Sequence, residues 1–330
     1  MGADEFTARN PWLSRYAKLV VCAAFALIFT GGQTTTSGAG MAFADWPLSN
    51  GSLNPAGWTH NFMMLLEHGH RLTAGLVSTL VTVLFIWVLR RRETLPRLAF
   101  GLSMWALIGV LVQAVLGGLR VLLNSDGLAV ATTFRVLHGC TAQIDLCLLV
   151  SLAAVLSPVW PRVVPQSSFR KVGRLGWLTV GFIFAQLIVG ATMRHLGAGL
   201  AIPTFPLTVG GTFLPKVHNA FIDLNFTHTR ILAFLVTVHV LLLAWRGLVS
   251  GETHLARPAG LLIVLLAVQI TLGMLVIWHL RPPVLTTLHV VNGAALLATT
   301  VLVAVRAGHG AWVASPHEAD PTISLREATA

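Results

Sequence analysis

The chain has 330 residues, of which 55% are hydrophobic and only 10% charged, with a mean hydropathy of +0.76. Soluble globular chains carry about 25% charged residues, so a water-soluble fold is excluded. The net charge of +10 does not mark a nucleic-acid binder, because Lys and Arg gather in alternate connections between apolar runs rather than on one face.

Eight apolar runs approach the ~20 residues that a spanning helix needs: about 16–32, 62–89, 98–122, 133–156, 172–193, 224–249, 258–280 and 284–305. Backbone groups in lipid must be satisfied within their own segment, so runs this apolar are predicted as helices. The first has spanning length and no small-residue cleavage pattern, and is read as a retained helix rather than a signal peptide. The basic clusters are Arg9, Arg15 and Lys18; Arg90, Arg91, Arg92 and Arg97; Arg162, Arg170, Lys171 and Arg174; Arg246 and Arg257; and Arg306. The positive-inside rule then predicts a plasma-membrane (inner-membrane) protein with both termini cytoplasmic, runs 2, 4, 6 and 8 starting on the outer side. Cys22, Cys140 and Cys147 fall inside apolar runs without a CxxC, so neither a disulfide framework nor a thiolate metal site is expected, and all three read as buried small hydrophobes.

The chain repeats itself. Residues 38–48, GAGMAFADWPL, parallel residues 197–207, GAGLAIPTFPL. Upstream stand Gly31-Gly32 and Gly190. Downstream, each half has a histidine-opened run, then Gln113/Gly117 or Gln269/Gly273, then a second histidine-opened run. The predicted fold is all-α and integral to the membrane, with eight transmembrane helices as two tandem four-helix bundles from an internal duplication. The N-terminal bundle spans 1–160 and the C-terminal bundle 161–330. Each long connection, 33–58 and 197–215, exceeds what a plain link requires and hints at a cap over a site. Trp46, Trp58, Phe205 and Phe213 suit either headgroup anchoring or a lid on a flat ligand.

Four histidines, His70, His138, His228 and His289, sit about one and a half turns inside the starts of runs 2, 4, 6 and 8. Ionisable groups inside spanning helices are costly and mark function by default. Two per bundle, on facing helices, fit paired axial ligands for iron in a planar macrocycle; haem is the leading reading. A lone histidine in an apolar run is more often a satisfied core residue, but the repetition favours ligation. Gly139 and Gly293 are candidates for letting a ring approach the backbone.

The densest polar cluster is Glu67-His68-Gly69-His70-Arg71. Glu67 and His70 share a helix face, and Arg71 is placed to meet an anionic group such as a propionate. A self-paired helix cap is the plainer account, and it explains four titratable groups in five positions poorly. The second half has Asn225, His228, Thr229 and Arg230, with an amide where Glu67 would stand. An amide cannot exchange protons as a carboxyl can, so the first bundle is expected to host chemistry and the second to hold a haem and pass electrons. His239, His279, His60, His195 and His218 are weaker candidates, the last three in outer loops, and His254 and His309 read as solvated. The sequence contains no GxGxxG, no P-loop and no HExxH, which argues against a nucleotide-driven machine or a zinc protease.

On these residues the chain resembles the haem A synthase family over about residues 15–306. The likeness rests on the duplicated unit, Glu67-x-x-His70-Arg71, the loop ending Asp45-Trp46-Pro47, and single histidines opening runs 4, 6 and 8. The resemblance implies oxidation of a ring methyl of haem O to a formyl group, giving haem A for terminal oxidases. It implies that His70 and His138 flank the substrate haem, that Glu67 serves catalysis, and that His228 and His289 hold a haem b. Arg71 and Arg230 are the expected propionate contacts. The implied partners are haem O, an electron donor, haem O synthase, oxidase assembly factors, membrane lipid and further copies of the chain. Members often carry a cysteine pair in the first outer loop, absent here, and an adjacent His-Arg in helix 6, where this chain has His228-Thr229-Arg230. The alternative is a quinol-linked b-type cytochrome with two bis-histidine haems, which leaves Glu67 without a task. A secondary transporter would need broken helices near the midplane, and the polar groups cluster elsewhere.

Overall fold

A computed structural model describes residues 11–160 and 167–309; Arg9 and Arg162 of the basic clusters lie outside them. Among the described residues the chain forms eight helices long and apolar enough to cross a membrane: α1 Pro11–Thr36, α2 Phe62–Arg90, α3 Arg97–Leu122, α4 Leu128–Val155, α5 Ser167–His195, α6 Ala220–Leu248, α7 Thr253–Trp278 and α8 Pro283–Ala307. The protein is an all-helical, multi-pass membrane protein. Large apolar side chains such as Leu19, Leu111 and Phe234 point outward, as expected when the surrounding solvent is hydrocarbon. Cys22 is among the outward-facing residues, which corrects its expected burial; all three cysteines are free thiols.

Several helices begin or end one to two turns beyond their apolar centres, because capped polar turns continue the helix after hydropathy fades. Asn61 and Asn219 each accept two N–H bonds at the starts of α2 and α6. Helix α7 starts five residues before Pro258. Proline cannot donate to the carbonyl four residues back, and that orphaned acceptor, His254 O, takes a 2.9 Å bond from Arg306 Nη1. The four histidines therefore lie six to ten residues inside their helices, deeper than the sequence indicated.

Helices α1 to α4 pack in a ring, each against the next and α4 back against α1; α5 to α8 do the same. The rings join through α8, which packs on α1 and α4, and through α4 on α5. Helix α8 is the most enclosed of the eight. Apolar burial gives membrane helices little drive to associate, so close approach of small residues carries the packing. A Cβ on Gly176 of α5 would stand 2.8 Å from that of Ala304 in α8. All connections fall at two ends. One end gathers 37–61, 123–127, 196–219 and 279–282, and is called the long-loop end; the other carries most of the basic residues.

Candidate haem-binding site

All four candidate histidines lie in the half of the molecule toward the long-loop end, and each faces a glycine of the preceding helix. A Cβ built on Gly31 (α1) would lie 2.8 Å from His70 Cε1 (α2), and one on Gly190 (α5) 2.5 Å from His228 Cε1 (α6). The corresponding distances are 3.3 Å for Gly117 (α3) to His138 (α4) and 3.2 Å for Gly273 (α7) to His289 (α8). Four imidazoles thus occupy four notches that any larger residue would fill. These notches belong to the repeated glycines, whereas Gly139 faces open space and Gly293 meets the Gln269 amide rather than a ring.

The charge of His138 bears on His70, and that of His289 on His228. All four histidines are half-buried within the rings of helices. His70 Nδ1 is 3.2 Å from Thr30 Oγ1. His138 Nδ1 is 3.0 Å from the Gln113 amide nitrogen when that amide is oriented to satisfy both ends. In each case Nε2 is left for the cleft. In the second half, Gln269 Nε2 lies 3.2 Å from His289 Nε2, while His228 Nδ1 and His289 Nδ1 are buried without any partner. An unpaired buried nitrogen costs about 1–3 kcal/mol; both of these Nδ1 atoms lie on the sides of their rings turned toward Gly190 and Gly273. Among the described residues no group of three or more His, Cys, Asp or Glu could hold an ion alone.

The polar cluster divides by role. His70 seats against Gly31, while the other three titratable members bond the first long loop. Glu67, 3% exposed, accepts from Arg71 Nη2 at 2.7 Å and from the Phe43 backbone N–H at 3.0 Å. His68 Nδ1 is 3.0 Å from Ser49 Oγ, and its ring stacks edge-on to Trp58. Arg71 donates from Nη1 to the carbonyls of Asp45 (2.8 Å) and Leu48 (2.6 Å). Arg71 thus ties down the first long loop through converging carbonyls. Asp45 completes the loop, its carboxylate accepting from the N–H groups of Gly51 (2.7 Å) and Asn50 (2.8 Å). Those bonds, with the Arg71 charge, hold its carboxyl below the usual range. Trp46 is pressed onto Gly118 of α3, as a lid would be.

The second half repeats the device. Arg230 Nη2 donates to Thr204 O at 2.7 Å and lies 3.4 Å from Leu207 O, so it too is engaged by its loop. The extra Thr229 is absorbed by a π-helical turn, Thr227–Leu232, where one added residue per turn restores the arginine to the face it needs. Asn225 replaces the Glu67 staple with reversed polarity, donating to Ala198 O (2.9 Å) and Gly199 O (3.1 Å). Both halves also share a cis X-Pro bond, at Trp46-Pro47 and Phe205-Pro206.

Of the other histidines, His195 lies among Arg194, Arg135 and Arg120, and the rest sit apart from the four. His239 bonds Leu235 O and stacks on Phe182; His218 pairs with Asp223; His195 closes α5 rather than lying in a loop. His254 and His309 are packed, not solvated: His309 is buried edge-on against Trp160, and burial, then the His254 charge, pushes its pKa down. Sequence reasoning missed Asp145, a buried carboxyl seven residues inward of His138 on the same face of α4, against Gly109. Its only signal was a single acidic residue in an apolar run.

The model of the cytochrome oxidase assembly protein family matches residues 14–301. The heme A synthase of Symbiobacterium thermophilum is 30% identical over 257 residues, covering 75% of this chain and 80% of that protein. That of Lysinibacillus sphaericus is 27% identical, over 80% of this chain and 86% of its own. That of Methylobacterium radiotolerans is 28% identical, over 96% and 95%.

Proposed function

The chain belongs to the cytochrome oxidase assembly family of haem A synthases, and from this membership and the site we propose that it is the oxidoreductase that converts a ring methyl of haem O into the formyl group of haem A. The observation that carries the reading is the two pairs of glycine-seated histidines, one pair in each ring of helices. His228 and His289 would hold a resident haem b, two imidazoles brought near each other from α6 and α8. A haem there supplies one-electron chemistry. His70 and His138 would clamp haem O in the first cleft, with the Trp46 loop excluding water and lipid. Glu67 lies one turn from His70, anchored by Arg71 and Phe43 N–H, and would stand beside the reacting edge, where only this half has a carboxylate. The matched notches, caps, loop arginines and cis prolines support two units, 1–160 and 161–330, of one duplicated origin. Haem O, an electron donor, haem O synthase and oxidase assembly factors are the partners this reading requires. The alternative b-type cytochrome is not favoured, since the relatives are named as synthases.

Extraction of pigment from the purified protein tests the reading: haem O or haem A beside haem b is expected, and haem b alone would return the cytochrome. The glycine notches give a graded test. Gly190→Ala and Gly31→Ala, with the tightest approaches, are expected to displace His228 and His70, whereas Gly117→Ala and Gly273→Ala need only a few tenths of an ångström. Low-spin haem content after purification should fall in that order; equal retention in all four would remove the notches from ligand positioning.

Orientation follows from charge. With the basic end cytoplasmic, reporters fused after Arg92 and Arg174 should behave as internal and one near Ser52 as external. Reversed labelling would move both sites to the inner side of the plasma membrane.

A further inference from the structure

The long-loop end holds arginines that the positive-inside pattern does not explain. Arg71 and Arg230 bond loop carbonyls, Arg230 keeping a buried Nε without a partner, whereas Arg120, Arg135, Arg194 and Arg281 do not tie down the long loops. Among the described residues none of these four makes an ion pair. Arg120 is the last-turn cation of α3, crowded against Gly40. Arg135 in α4 bonds the Asn124 side chain, and Arg194 Nη2 reaches Gly32 O of α1 at 3.3 Å, crossing between the two rings of helices. Arg281 lies over Gly199 in the α7–α8 turn.

Their register is regular. Arg120 follows Gly117, the His138 notch, by three residues, and Arg194 follows Gly190, the His228 notch, by four. Spacings of three and four keep a helix face and advance about 5 Å. Both helices run toward the long-loop end, so each guanidinium sits one turn outward of a ligand histidine. Arg135 precedes His138 by three in a helix running the other way, so it too lies one turn outward. The Arg120 charge bears on His70, His138 and Arg194, and the Arg194 charge on Arg281. Arg120 and Arg194 are desolvated by burial, with half-buried Arg135 and exposed Arg281 beside them; like charges so placed are costly unless an anion completes them.

We infer that Arg120 and Arg135 bind the two carboxylates of the macrocycle held in the first cleft, and that Arg194 with Arg281 binds those of the second. The inference rests on the haem reading above. A ring clamped between axial histidines hangs its carboxylates from one edge, and only the long-loop side of each cleft offers cations. Arginine suits the task because its fork binds carboxylates in a bidentate manner. Because Arg194 also touches α1, the acid edges of the two rings would face each other across the seam between halves.

The test uses the full chain purified from haem-limited cells, loaded in phosphatidylcholine nanodiscs with ferric protoporphyrin or its dimethyl ester. Both keep the iron and its axial bonds; the ester has no anionic edge. Wild type is expected to bind the free acid at least about tenfold more tightly, the scale of charge-assisted bonds. Arg120→Gln with Arg135→Gln, and separately Arg194→Gln, should each erase that preference at one site, while the Arg→Lys variants retain part of it. Wild type binding acid and ester equally, with both giving low-spin spectra, would overturn the inference and leave the haem reading intact. Absence of a low-spin spectrum with either ring would sink the haem reading and the inference with it. Phosphatidylglycerol displacing the acid preference in wild type would show instead a site for lipid phosphate.

Discussion

Glu67→Gln is expected to leave the protein inserted, folded and carrying its second-half haem, while conversion of haem O to haem A falls by about 100- to 10,000-fold. The geometry sharpens the argument. Both carboxylate oxygens accept hydrogen bonds, from Arg71 and from the Phe43 N–H. Glutamine keeps one acceptor, but its NH2 must then face a donor, and the buried negative charge is lost. The opposite half tolerates an amide only because Asn225 faces loop carbonyls instead of a loop N–H. Two readings of Glu67 separate in the companion variant Arg71→Gln, assayed by chromatography of extracted haems. If Glu67 acts only as a loop staple, removing either partner should cut the yield alike. If its carboxyl serves the reaction, Glu67→Gln should lose far more than Arg71→Gln. A near-normal haem A yield from Glu67→Gln would make the group structural.

His228→Ala and His289→Ala are each expected to abolish the stable low-spin spectrum of the second half. Removing even an outer partner of a metal ligand typically costs about 10- to 100-fold in affinity, so loss of a ligand itself should leave the haem unretained through purification. The substitution also empties the Gly190 or Gly273 notch, so the cleft loses shape along with the bond. Gln269→Leu provides the graded comparison: it removes the amide against His289 while the imidazole stays, and should broaden or shift the spectrum without erasing it. Normal low-spin spectra in both alanine variants would take these residues off the ligand list.

Much of this was written legibly in the sequence. Eight spans follow from hydropathy because a bilayer leaves helices little choice, and the four histidines stand out because repetition lifts each above the plain reading of a core imidazole. Other features needed coordinates. Arg71 and Arg230 look like anion receptors in sequence, since nothing linear reveals that loop carbonyls 45 and 48, or 204 and 207, converge on them. The glycines that seat the histidines were visible as repeats, but attention fell on Gly139 and Gly293, neighbours in sequence, when the notches lie on partner helices. His254 and His309 read as solvated because they sit among basic residues, whereas Trp160 and Phe169 cover them. The displaced register of Arg230 looked damaging until the π-helical turn showed how a helix absorbs one residue.

Helix α8 places the second-half ligand His289 on the element that also walls the first half, packing on α1 and α4. Thr287, two residues from that ligand, is 3.0 Å from Thr36 Oγ1 and fills the space above Gly32, next to the His70 notch. On the proposed reading, any rotation of α8 on ligation of His289 would reach the first-half site, and thermodynamic reciprocity would fix the relation: whatever factor a second-half haem added to the affinity for haem O, haem O would add to retention of that haem.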